Sequence, residues 1–392
     1  MIAKGQTQTE KLYEIDSECY TFDAYVTACE RRDNGQYAIE LSRTAFFPEG
    51  GGQYADRGVL NDIDVCDVQI EQERIWHYLD IPLEPGSLVR GELDVGSRFD
   101  RMQNHTGEHI LSGIAHAKWG LENVGFHLND DEMTMDFNGE LTAEQLAELE
   151  QAANQAVWAN TMVSADYPDT DTLAKLQYRS KLDLLENVRI VTIEGVDACA
   201  CCAPHVKRTG EVGVIKIVNA IHHKGGMRLW VLCGGRALAD YTRKHEDILT
   251  ITRKQSVKPW QAVEITDKLN EDLLTARVTL NAARRELCDV KLMSAMPDAQ
   301  GNLLFFEGDM DANVQRGMAD NGADRVPNGI CAVFCATENG YRYVCVSRNQ
   351  PLRAIGKLLN TALNGRGGGS DAMIQGTVNS ECERIKAFFE QV

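Results

Sequence analysis

His105-Thr106-Gly107-Glu108-His109 places two imidazoles four residues apart in residues 104–118, a run whose apolar periodicity predicts a helix opening near the first histidine. Side chains four apart leave one helix face a turn apart. Farther along, Cys201-Cys202-Ala203-Pro204-His205 sets a thiol and an imidazole at the same spacing. Three imidazoles and one thiolate make a tetrahedral N/S donor set, which suits zinc. Each half alone is a weak signal, because paired histidines on a helix surface are common. Together they predict a Zn2+ site built from His105, His109, Cys201 and His205.

The surrounding composition is that of a globular protein. The 392 residues are 43% hydrophobic and 25% charged, enough for two or three domains. No apolar run is long enough to span a membrane. Residues 1–20 lack an apolar signal core. Twelve cysteines in a chain without an export signal predict reduced thiols and a cytoplasmic location. Cys19, Cys66, Cys233, Cys331 and Cys345 sit among apolar neighbours and read as small buried hydrophobes. The net charge of −18 argues against generic coating of nucleic acid. Residues 199–260 run the other way, with eleven Lys and Arg against four Asp and Glu. That basic belt beside the second half-site fits a focused polyanion site or a chance clustering of solvated charges.

The chain predicts an α+β fold. Residues 1–95 read as a small β-barrel, with strands at 19–28, 36–41 and 63–69 and a turn at Pro85-Gly86. Residues 96–235 read as an α/β zinc-containing domain, with helices at 104–118 and 143–160 and strands at 188–193, 212–218 and 227–233. Residues 236–292 predict a helical hairpin interrupted before Pro259, which suits the first turn of its second arm. That arm has small or apolar residues at 262, 269, 273, 276, 280, 283, 287 and 290, a coiled-coil seam that packs within the chain or makes a homodimer. Residues 293–392 predict a small α/β domain with strands at 302–307, 330–337 and 341–347, helices at 352–363 and 380–391, and a turn at Asn339-Gly340.

Other residues carry chemistry. Glu108 makes His-x-x-Glu-His, an inverted zinc-peptidase pattern with Glu as general base, though that reading leaves Cys201 and His205 without a role. Cys202 is an alternative ligand to Cys201, and Cys199 reads as a packing thiol. Thr44-Ala45-Phe46-Phe47-Pro48-Glu49-Gly50-Gly51-Gly52-Gln53 offers a backbone that a ligand can approach closely, a hydroxyl and an amide. By itself it reads as a tight turn after a strand. Gly365-Arg366-Gly367-Gly368-Gly369 reads as a phosphate-holding or flexible loop.

Taken in order, TAFFPEGGGQYADRG (44–58), HTGEHILS (105–112), FHLNDDEMTMDF (126–137), the helix at 141–163 and CCAPHVKRTGEVGVIKI (201–217) resemble the alanyl-tRNA editing proteins, relatives of the editing domain of alanyl-tRNA synthetase. The likeness covers roughly residues 15–235. The tail, with GRGGGSDAMIQG at 365–376, resembles the long form of that family and the synthetase C-terminal domain. The resemblance implies a hydrolase that acts in trans on tRNA(Ala) mischarged with serine or, second, glycine. It implies that zinc is held by His105, His109, Cys201 and His205. It also implies substrate contacts from Gly51, Gly52 and Gln53, a hydroxyl-reading Thr44, and Gln53 and Glu108 near the reacting ester. Lys207, Arg208, Lys224 and Arg228 would meet acceptor-stem phosphates. Cys202-Ala203-Pro204 departs from the family's usual Gly-Gly-Thr between the two ligands. A non-catalytic tRNA-binding module stapled by zinc is the competing reading.

Overall fold

The computed structural model describes residues 8–180 and 188–392. The first seven residues of the N-terminal stretch considered above lie outside them. Two compact units divide the chain, Met1–Asp247 and Ile248–Val392.

In the first unit, strands alternate buried and exposed residues along Thr21–Arg31 and Leu88–Leu93, which seals one face of an antiparallel sheet. Seven strands lie in the order Ile63–Val65, Gly58–Leu60, Leu88–Leu93, Thr21–Arg31, Tyr37–Leu41, Arg74–Leu79, Asp67–Glu71. Residues 63–69, expected as one strand, are two. They break at Cys66 and form opposite edges of the sheet, so the sheet nearly closes on itself. Phe22, Val26, Ile39, Leu41, Phe46 and Leu60 fill its interior. Gly91 is required there, because a Cβ would come 2.4 Å from the Phe22 ring. Cys66, expected to be buried, is exposed at the corner and Cys19 is only half-buried, whereas Cys233, Cys331 and Cys345 are buried.

The helix carrying the histidine pair runs Val95–Trp119, so it begins well before residue 104. Asp94 caps it, accepting from the Ser97 amide at 3.0 Å, and Gly120 ends it at φ 66°. The histidines therefore sit in the buried middle of the helix rather than at its opening. Arg98, one turn into the same helix, is wholly buried against Asp56 from the nearly closed sheet. This ion pair joins the two substructures. The helix Ala143–Ala159 has the expected amphipathic face and a Thr142/Gln145 capping box. Both helices cover one face of a four-stranded antiparallel sheet in the order Asn123–Leu128, Met133–Phe137, Gly226–Cys233, Ile215–His223. The strand expected at 212–218 starts only at Ile215, because Thr209–Val212 winds into a 3-10 turn and Gly213 takes φ 80°. A third sheet of Val163–Asp166, Ile190–Ile193 and Asp197–Ala200 completes the unit.

Helices Gly234–Lys254 and Ala262–Ser294 lie where the interrupted helical pattern was read, with Pro259 opening the turn between them. Along the second helix, Leu273, Leu280 and Leu287 are 51%, 50% and 54% exposed. The second unit holds a five-stranded sheet in the order Leu303–Glu307, Cys331–Thr337, Gly340–Val346, Met373–Val378, Gly365–Gly369, with only the first pair parallel. Ala312–Arg325 packs on one face, and Leu352–Ala362 and Cys382–Phe389 on the other. The glycine-rich stretch at 365–369 is thus an edge strand rather than a loop. A Cβ on Gly367 would meet the Tyr343 hydroxyl at 2.3 Å, so strand packing accounts for the glycine there. Among the described residues, no helix is long and apolar enough to cross a membrane.

Candidate metal centre

His105 and His109 project from the buried helix toward Cys201 and His205 on the loop after Asp197–Ala200. One ligand atom from each of the four residues lies within 4.8 Å of the others. Cys201 Sγ stands 3.4 Å from His205 Nε2 and 3.7 Å from His105 Nε2. The opposite nitrogen of every ring is already engaged: His105 Nδ1 with Gln53 Oε1 at 2.7 Å, His109 Nδ1 with Asp197 Oδ2 at 2.9 Å, and His205 Nδ1 with Thr106 Oγ1 at 3.0 Å. An amide oxygen and a carboxylate only accept, so Nδ1 of His105 and of His109 carries the proton. Each ring thereby turns Nε2 toward the shared point, the arrangement metal-ligating histidines require. The four residues form a possible metal-binding group on donor chemistry as well as distance.

The electrostatics agree at Cys201 and His205, whereas at His109 burial is outweighed by Asp197, Cys201 and Glu108, which raise the imidazole well above its usual value. Burial works against a Cys201 thiolate, but the His105 and His205 imidazoles outweigh it and hold that thiol well below its usual range. Burial pushes the Cys199 thiol up to about 11, and the thiol of the exposed Cys202 is likewise raised. Burial lowers His205 to about 3, which leaves it a neutral donor. Burial alone would raise Glu108, yet His109, Arg179 and His105 together hold it below the usual carboxylate range. Its Oε1 accepts from Ser112 and Asn123, while Oε2 lies 3.8 Å from His109 Nε2. Asp197, Thr106, Arg179, Ser112 and Asn123 did not stand out in the sequence; a carboxylate four residues before Cys201 was the one available signal.

The glycine-rich loop docks onto the strand Asn123–Leu128. Gly50 and Gln53 exchange backbone bonds at 3.0 Å, Leu128 N donates to Gly52 O at 2.7 Å, and a Cβ on Gly52 would fall 2.3 Å from Phe126 O. The close approach at Gly52 is thus to the protein's own backbone, and its effect is to deliver Gln53 to His105. Gly51, at φ 60°, has open space around it. Gln53 Nε2 is buried and has no partner among the described residues.

Thr44 is wholly buried and meets His77 Nε2 at 2.8 Å, while its oxygen accepts from Phe46 N. His77 Nδ1 lies 3.1 Å from Ile39 O and donates to it, so Nε2 accepts from Thr44. Burial lowers His77 from about 6.5 to about 4. Below pH 6.5 the unfolded chain takes up a proton at His77 that the folded chain refuses. Stability is therefore lost as pH falls from 6.5 to about 4, by roughly 3 kcal/mol from this group. His77→Gln, which keeps one donor and one acceptor, is expected to remove that share of the acid sensitivity; denaturant unfolding of both proteins at pH 7, 5.5 and 4.5 measures it.

Most of the expected phosphate contacts are engaged inside the chain. Lys207 pairs with Asp16 at 3.1 Å and with Glu18. Arg228 grips Asp136 through two bonds of 2.6 and 2.7 Å, and Arg208 donates to Asn160 O at 2.6 Å. Lys224 makes no ion pair among the described residues.

Residues 188–229, which include Cys201 and His205, match the threonyl and alanyl tRNA synthetase second additional domain. The chain is 34% identical to the alanyl-tRNA editing protein Aarsd1 of Rattus norvegicus over 63% of this chain and 62% of that protein. It is 28% identical to the alanyl-tRNA editing protein AlaX-L of Pyrococcus horikoshii over 96% of both chains. It is 31% identical to an alanine–tRNA ligase of Ignicoccus hospitalis over 75% of this chain and 33% of that enzyme. The match thus spans somewhat less than two thirds of the rat protein. With these matches and the AlaX-L match running along nearly its whole length, the chain is a homologue of the alanyl-tRNA editing proteins.

Proposed function

We propose that the protein is a trans-editing hydrolase that cleaves the aminoacyl ester of mischarged tRNA(Ala), chiefly seryl-tRNA(Ala) and secondarily glycyl-tRNA(Ala), at a Zn2+ site. The observation that carries this reading is the convergence of three Nδ1-anchored imidazoles and one stabilised thiolate in a homologue of editing proteins. The donor set fits zinc, which His105, His109, Cys201 and His205 would hold. Bound there, zinc supplies Lewis acidity and an anchor for the aminoacyl end.

The chain's own residues supply the rest. Gln53 Nε2, a buried donor beside His105 that has no partner among the described residues, is suited to hold a substrate oxygen. Glu108 stays ionised with Oε2 unspent, as a group that orients or deprotonates water must. Thr44, wholly buried and bonded to His77 and Phe46 N, would have to be uncovered before its remaining lone pair could accept from a serine hydroxyl, which alanine lacks. Such a second sieve has a purpose, because an apolar synthetase pocket rejects an added hydroxyl only about 100-fold. Lys224, which makes no ion pair among the described residues, could meet phosphate, while Lys207, Arg208 and Arg228 would exchange internal partners for it.

Four protein ligands close a tetrahedron, and that observation favours a second reading, a non-catalytic tRNA-binding module with zinc as staple. The peptidase reading has less support, since the group is completed by Cys201 and His205 rather than a carboxylate. The test is release of serine from seryl-tRNA(Ala) and of alanine from alanyl-tRNA(Ala), before and after chelation. Serine release that falls on chelation and returns with Zn2+ supports the hydrolase. No release by folded, zinc-loaded protein rejects it in favour of the module.

A homodimer through the exposed seam of Ala262–Ser294 belongs to the same proposal. Leu273→Glu with Leu280→Glu is expected to turn a dimer into a monomer in sedimentation; a wild type that sediments as a monomer removes it.

A further inference from the structure

We infer that Asp197 and Arg179 act as a coupled pair of positioning residues for His109, holding its Nε2 on the metal position. The inference rests on the metal-site reading above.

Asp197 opens the second strand of the hairpin Ile190–Ile193 and Asp197–Ala200, just after a turn in which Gly195 takes φ 74°. That turn sits in a notch on the ligand helix. At Gly113 a Cβ would lie 2.4 Å from Val196 O and 2.7 Å from the Asp197 Cβ. Gly113 is one turn beyond His109 on the same face, so the notch brings the Asp197 carboxylate against the His109 ring. The carboxylate then has little freedom. Oδ2 accepts from His109 Nδ1 at 2.9 Å and from Arg179 Nη2 at 2.8 Å, and Oδ1 accepts from Arg179 Nε at 2.7 Å. Arg179 is fixed in turn by its backbone: its N donates to Ala198 O at 2.8 Å, and Ala200 N donates to its O at 2.9 Å.

The three ligand imidazoles are not equivalent in this respect. His105 rests on a neutral amide and His205 on a neutral hydroxyl. Only His109 leans on a carboxylate that a guanidinium clamps through a two-bond fork. A clamped carboxylate fixes the ring's rotation and raises the donor strength of its far nitrogen. His109, Asp197 and Cys199 also lie close enough to suggest a second cation. The bonds argue otherwise, since both Asp197 oxygens are taken and a cation there would face the Arg179 guanidinium.

The test uses the full chain with Zn2+ against a competing chelator, and with Co2+ read by its absorption bands. Asp197→Asn is expected to weaken Zn2+ by about 10- to 100-fold. Arg179→Met should weaken it less. Gly113→Ala, which must displace the Val196–Asp197 turn, should shift the Co2+ bands although it touches no ligand. Cys199→Ala should change neither. Far-UV circular dichroism checks folding, and if Asp197→Asn does not fold, Arg179→Met and Gly113→Ala decide. Affinities within about two-fold of wild type, with unaltered Co2+ bands in the folded variants, overturn the inference. A wild type that binds no Zn2+ or Co2+ overturns the metal reading instead.

Discussion

Replacing Cys201 with Ala is expected to strip the protein of its metal and of serine release, whereas replacing the adjacent Cys202 leaves both nearly unchanged. The two thiols are neighbours in sequence and opposites in environment. Cys201 Sγ lies within reach of the His105 and His205 Nε2 atoms, whose imidazoles override burial and favour the thiolate. Cys202 is exposed and outside the four-residue group, and its thiol is raised rather than lowered, so it stays protonated at neutral pH. Only the thiolate ligates. Loss of a direct ligand should exceed the about 10- to 100-fold that losing a hydrogen-bonding partner of a ligand costs. The measurement is Zn2+ content after dialysis together with seryl-tRNA(Ala) deacylation. Retention of stoichiometric zinc by Cys201→Ala, or its loss from Cys202→Ala, would assign the thiolate to the wrong residue.

The possible metal-binding group was legible because spacing is a local property: imidazoles four apart on a helix, and a thiol four before an imidazole, need no knowledge of the fold. What fixes those side chains was not legible. Thr106 and His205 are 99 residues apart, and His109 and Asp197 are 88 apart. Thr and Asp are ordinary surface residues in most contexts, so nothing in the one-dimensional pattern marks them. The same holds for charge. The basic belt counted Lys207 and Arg228 as available, but Asp16, Glu18 and Asp136 neutralise them from distant parts of the chain. Composition also misled at 365–369, where glycine signals a loop yet an edge strand crossing Tyr343 demands it. The helix start at Val95 was missed because the capping signal is one carboxylate, Asp94, before a Gly-Ser pair that reads as a turn.

These partners explain how a site drawn from three substructures keeps one geometry. Gln53 comes from the loop of the nearly closed sheet, the histidine pair from the long helix, and Cys201, His205 and Asp197 from the third sheet and its following loop. Gly52 against Phe126 and Gly113 against Val196 are contacts without side chains. They let backbone meet backbone or helix closely, which sets positions more rigidly than flexible side chains would. Ala substitution at either glycine strikes at ligand orientation rather than ligand identity.

The ion pair between Asp56 and Arg98 is where that geometry is most exposed to a single change. Asp56 Oδ2 accepts from Phe47 N at 2.6 Å and from Arg98 Nε at 2.9 Å, with a further bond from Arg98 Nη2. Arg98 also donates to Ser17 O at 2.9 Å and to Ala45 O. Asp56 thus ties both ends of the loop 47–56 that carries Gln53 to the helix that carries His105. Both side chains are almost fully buried. Removing one member leaves a charge out of water with no counter-charge, so Asp56→Ala is expected to destabilise the first unit by about 3–5 kcal/mol. Asp56→Asn keeps the shape and an acceptor for Phe47 N but loses the charge, and should cost less. Urea unfolding gives the order of stabilities. Zinc affinity of the folded Asp56→Asn protein tests the link to the site, because a slackened loop withdraws Gln53 from His105. A loss under about 1 kcal/mol for Asp56→Ala would mean that the backbone acceptors of Arg98 hold the joint without Asp56.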